Sequence, residues 1–174
     1  MRPSVYWIDI RSLASHSPEG GGRTGRLAIM ARPRAGDWLE DEVATWKAEG
    51  IDTVVSLLER HEVMELDLSM EAELCAREAM EFISFPIADR GLPSSTQAAA
   101  DLAGSLASKL REGKNVAIHC RAGIGRSSVV AACVMVSAGS TASLAFDQIS
   151  AARGVQVPDT EGQRAWVERF RAKS

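Results

Sequence analysis

VAIHCRAGIGRSSVVAACVMV, residues 116–136, joins a short apolar run to a longer one through a turn containing Gly123 and Gly125. The first run, 116–118, reads as a buried strand, and the second, 129–136, as a buried helix. HCRAGIGRS, residues 119–127, is therefore a strand-to-helix turn that gathers backbone N–H groups at a helix N-terminus. The same alternation recurs upstream. Residues 5–10, 25–30, 51–58 and 82–87 read as strands, the third β-branched and apolar enough to be covered on both faces. Helices are expected at 69–80, at 141–152 and at 159–172, where Trp166, Val167 and Phe170 share a face. Two more are placed by capping-box spacing, Asp37 with Glu40 and Ser94 with Gln97. The pattern predicts an α/β fold, a central mostly parallel sheet of about five strands flanked by helices on both faces. Such sheets bind ligands at the carboxyl ends of their strands, and Cys120 and Asp89 both fall just past strand ends.

The composition narrows the function further. At 174 residues, 45% hydrophobic and 25% charged, the chain fits a single domain over 1–174 with a full core. Residues 12–25, rich in Gly and Ser, are expected to form a mobile loop. Cys75, Cys120 and Cys133 are too few and too scattered for a disulfide framework and lack metal-ligand spacing, so no metal, no cofactor and a reducing, cytoplasmic home are expected. The first residues lack the apolar core of a signal peptide, and the run 129–136 is far below the roughly 18 residues of a membrane span. A net charge of -3 offers no field for nucleic acid. Arg164, Arg169, Arg171 and Lys173 make the C-terminus locally basic, which reads as a solvated helix face.

The chemistry lies in the turn. Unpaired donors and the positive end of a helix dipole make it an anion site, and the same field favours a thiolate. The Cys120 thiol is therefore expected below its usual pKa of about 8.5, toward the roughly 3.5–7.5 of cysteines at helix N-termini. Arg121, Ala122, Gly123, Ile124 and Gly125 supply the cradle, and Arg126 can return its planar fork to the mouth, where it suits a phosphoryl group. Displacing an alkoxide or phenoxide needs a proton donor, which FPIADRGLP offers in Asp89, ahead of a loop containing Gly91 and Pro93. Ser127 can donate to the Cys120 sulfur, and His119 would orient the loop from beneath.

His-Cys-x5-Arg-Ser, with an aspartate some thirty residues upstream, resembles the signature of the cysteine-based protein tyrosine phosphatase superfamily. Chain length and the run PIADRGLP are more similar to its small dual-specificity members. The resemblance implies a phosphocysteine intermediate with Cys120 as nucleophile, Arg126 as phosphate clamp, Asp89 as acid and base, and Ser127 as the hydroxyl that releases the thiolate. It implies a phosphorylated protein or peptide as substrate. Phosphoinositide phosphatases carry lysines inside this loop, whereas Ala122, Gly123, Ile124 and Gly125 stand here. Thr160 and Gln163 match the family's water-positioning glutamine motif but also have capping-box spacing, the preferred reading. Cys75 and Cys133 read as buried small apolar groups rather than traps for an oxidised Cys120. His61, among Glu59, Arg60 and Glu62, reads equally as cleft lining or solvated loop. A lipid, nucleotide or RNA phosphatase would use the same residues. An adaptor without turnover, or a sulfur-transfer or arsenate-reducing enzyme, would have no need of Asp89.

Overall fold

The computed structural model describes residues 4–10 and 23–172. The expected mobile segment therefore lies almost wholly outside the described residues. Among the described residues, five strands form one sheet in the order β1-β2-β5-β3-β4: β1 (Val5–Ile8), β2 (Leu27–Met30), β3 (Thr53–Ser56), β4 (Glu81–Ser84) and β5 (Val116–His119). Only the edge pair β1–β2 is antiparallel; β2–β5, β5–β3 and β3–β4 run parallel. Fully buried β5 sits at the centre.

The pleat sorts the strand residues onto two faces. Leu27, Ile29, Val55, Val116 and Ile118 pack against α4 (Thr96–Arg111), α5 (Gly125–Ser137), α6 (Ala142–Arg153) and α7 (Glu161–Arg169). Ala28, Met30, Val54 and Ala117 point the other way, against α1 (Leu39–Ala48) and α3 (Glu71–Arg77). α5 is buried along nearly its whole length, which is why its sequence shows an apolar run and not a stripe.

Several local expectations are corrected. Asp37 caps nothing: a 3-10 turn at Gly36–Trp38 precedes α1, whose N-cap is Trp38 without a side-chain bond. α4 begins one residue later than the Ser94 box implies, because Ser95 Oγ accepts from the Ala98 N–H at 3.1 Å while Gln97 bonds Asp101. The expected helix at 69–80 is shorter, and a further helix, α2 (Arg60–Glu65), precedes it. Its sequence RHEVME carries no apolar stripe, so periodicity passes over it. The strand expected at 82–87 is Glu81–Ser84, and Asp89 stands five residues past its end.

Candidate active site

β5 ends at His119, and the next six residues carry the chain to Gly125, the first residue of α5. Gly123 takes the left-handed conformation, φ +72°, and a Cβ there would come within 2.7 Å of the backbone of Met30 and Ala31. Only glycine lets the turn curl while resting on the end of β2. Within it the Gly123 N–H donates to Cys120 Sγ at 3.3 Å, and Ser127 Oγ lies 3.4 Å from the same sulfur. A thiolate there would accept from both.

The Arg126 guanidinium is 2% exposed and clamped in place. Its Nη1 donates to Glu62 Oε2 at 2.8 Å and to the Ile87 carbonyl at 2.9 Å, and its Nη2 donates to Glu62 Oε1 at 2.9 Å. Of five guanidinium hydrogens, these bonds leave the Nε–H and one Nη2–H, the parallel edge that fits two phosphoryl oxygens. Asp89 Oδ1 sits 3.4 Å from Nη2, and its side chain is 63% exposed. The structure thus sets buried Ser127 against the Cys120 sulfur and exposed Asp89 against Arg126, with Cys120 near enough to Arg126 for their charges to interact.

Glu62 is a site residue that sequence reasoning missed, naming it only as a neighbour of His61. Burial would raise its pKa, but the hydrogen bond from Arg126, the backbone N–H of Glu59 and the charges of Arg126 and Arg121 outweigh it, holding the carboxyl below its usual value. The pair stays ionised, as a buried charge must when its partner is fixed. His61 has a 65% exposed side chain 3.8 Å from Glu59, in keeping with a solvated position.

His119 does lie beneath the loop. Its Nδ1 is 3.3 Å from the Cys120 carbonyl, and its Nε2 is 2.5 Å from Glu71 Oε1 on α3, both side chains being buried. Complete burial would lower the imidazole pKa, yet the charge and hydrogen bond of Glu71 prevail and raise it above 6.5. A raised folded-state value contributes stability that is fully present below the unfolded value of about 6.5 and is lost as pH rises through the folded value. Glu71→Gln should therefore destabilise the protein by about 1–3 kcal/mol at pH 6 and by less at pH 9. Urea unfolding at the two pH values checks this; an equal loss at both would contradict the charged pair.

Gln163 forms both halves of a capping box with Thr160, as the preferred reading has it. Its Nε2 also donates to the Gly91 carbonyl at 3.2 Å, which ties the loop after Asp89 to α7. Burial pushes the Cys75 and Cys133 thiols up to about 12, with Glu71's charge adding at Cys75, so both stay protonated. Arg164 pairs with Glu168 at 3.3 Å, as on a solvated helix face. Among the described residues, no helix is long and apolar enough to cross a membrane, and no three His, Cys, Asp or Glu side chains could hold a metal ion.

Known proteins resemble this chain in sequence and in fold. A family model described as Tc-R-P, "Polymorphic toxin system, DSP-PTPase phosphatase", matches residues 28–140. Protein tyrosine phosphatase domain-containing protein 1 of Mus musculus is 31% identical over 158 residues, 84% of this chain. The chain spans only 21% of that relative's length. Among solved structures, kinase associated phosphatase with serine at its catalytic-site cysteine superposes with a TM-score of 0.85 over 98% of this chain and 95% of that one, at 20% identity. Tk-PTP in its active form gives 0.66 over 86% and 93%, at 28% identity. PTPMT1 in complex with PI(5)P gives 0.68 over 83% and 88%, at 16% identity, a likeness of fold alone.

Proposed function

Because the chain belongs to the DSP-PTPase phosphatases, a family of cysteine-based hydrolases, we propose that it hydrolyses phosphotyrosine in proteins, with phosphoserine and phosphothreonine as further substrates, through a phosphocysteine intermediate. The observation that carries this reading is the convergence of the Cys120 sulfur, the free edge of Arg126 and the Asp89 carboxyl at one mouth.

Phosphoryl oxygens rest on the loop N–H groups from Arg121 to Arg126 and on the Nε–Nη2 edge of Arg126. The Cys120 thiolate attacks phosphorus in line; the S–P bond forms, the P–O bond to the leaving group breaks, and Asp89 gives that oxygen its proton. In the second step water attacks phosphorus, Asp89 as carboxylate takes its proton, and the S–P bond breaks. The Ser127 hydroxyl hydrogen-bonds the departing sulfur. Glu62 keeps Arg126 from swinging away, which saves ordering entropy when substrate binds.

The Arg121 side chain is 47% exposed and 4.0 Å from Glu62, a cation at the mouth available to a second anionic group. That observation favours, as a second reading, a non-protein phosphoester such as a phosphorylated lipid headgroup. Measuring kcat/KM on matched phosphotyrosine and phosphothreonine peptides and on a phosphoinositide, with Cys120→Ser protein as blank, separates the two. Turnover of phosphotyrosine peptide well above the others supports the proposal, and turnover confined to the lipid overturns it in favour of the second reading.

A further inference from the structure

We propose that Arg153 is a positioning residue for this reaction: it grips the phosphate loop from outside and holds two successive peptides with their N–H groups turned toward the bound oxyanion. The inference rests on the phosphatase reading and adds a residue to it. Arg153 is the last residue of α6, which Gly154 terminates in the left-handed conformation, φ 80°. Its Nε donates to the Gly123 carbonyl at 3.2 Å and its Nη2 to the Ala122 carbonyl at 3.3 Å. The guanidinium stacks 4.3 Å over the ring of Tyr6 on β1. One planar cation thus ties the end of α6, the edge strand and the loop together.

The consequence follows from peptide geometry. In a trans peptide the N–H points away from the C=O of the same unit. Ala122 C=O shares its unit with the Gly123 N–H, and Gly123 C=O with the Ile124 N–H. A donor pair that holds both carbonyls outward therefore aims both N–H groups inward. At the first unit the outcome is visible, since the Gly123 N–H reaches Cys120 Sγ at 3.3 Å. Convergent N–H dipoles repel one another, so an empty loop gains by turning a peptide over. A cation at the carbonyl ends opposes that turn and polarises each peptide further. Gly123 rests on the β2 backbone on one side, and Arg153 closes the other.

Arg153 does not touch substrate, in contrast to Arg126, so its removal should weaken every oxyanion alike and spare proton transfer. Arg153→Ala should raise the tungstate dissociation constant and lower kcat/KM by about 10–100-fold, the usual effect of losing an outer partner of a binding group. The pH limb set by Asp89 should stay in place. Arg153→Lys restores charge without the fork and should recover only part of the loss, while free guanidinium ion added to Arg153→Ala should recover more than methylammonium does. Tyr6→Leu should shift tungstate affinity the same way by a smaller factor. Should Arg153→Ala fail to fold, Arg153→Gln serves with the same readouts. A folded variant with the wild-type tungstate affinity and kcat/KM, or one losing thermal stability alone without guanidinium rescue, overturns the assignment. Wild-type protein that neither binds tungstate nor hydrolyses a phosphoester overturns the phosphatase reading itself.

Discussion

Cys120→Ser protein should lose phosphoester hydrolysis by on the order of 10^5 to 10^6-fold, the scale seen when a covalent nucleophile is removed, and should keep its grip on the anion. The separation follows from where the two properties reside. Nucleophilicity belongs to one sulfur, whereas anion binding is shared among the loop N–H groups, the free edge of Arg126 and the dipole of α5. The hydroxyl replacement leaves those anion-binding groups in place, so tungstate or phosphopeptide should bind about as tightly as to wild type. Kinetics on an aryl phosphate beside calorimetric titration with tungstate measures both. Loss of binding together with hydrolysis would mean that the substitution collapsed the loop.

Asp89→Asn should lower kcat by about 100 to 10,000-fold, the worth of a positioned acid. The loss should grow with the basicity of the leaving group, because a good leaving phenoxide needs little help and an alkoxide needs most. The asparagine can neither give a proton nor take one from water, so one limb of the pH–rate profile should flatten as well. Asp89 is placed for the task by its position 3.4 Å from Arg126 and by its exposure toward the mouth. Steady-state kinetics over a series of phosphate esters and a pH range tests it. A uniform loss across leaving groups with an unchanged pH profile would remove Asp89 from proton transfer.

The parts of this site that lie close together in sequence were legible there. Cys120, Arg126 and Ser127 fall within one short stretch that spans the turn and the first residues of α5, its flanking runs declare strand and helix, and its chemistry is local. The middle of the sheet was legible for the same reason, since β2, β3 and β5 are buried throughout and show as short, mostly apolar runs. The partners that hold the turn were not. Glu62 lies 64 residues from Arg126, Glu71 lies 48 from His119, and Arg153 lies 30 from Gly123. Nothing in RHEVME separates a glutamate destined for a buried arginine from one that closes a capping box, and Glu62 does both, accepting from the Glu59 N–H at 2.9 Å. The misplaced caps at Asp37 and Ser94 have a related cause. Cap spacing recurs wherever polar residues cluster, and packing decides which polar residue the first turn uses.

The covalent intermediate is the claim on which the account turns. Protein mixed with an aryl phosphate, quenched in acid within the first turnovers and digested for mass mapping, should carry one phosphoryl group on the peptide containing Cys120, with none on Cys120→Ser protein. A phosphoryl group on any other residue, or steady hydrolysis with no adduct at Cys120 and continued turnover by Cys120→Ser, would contradict it.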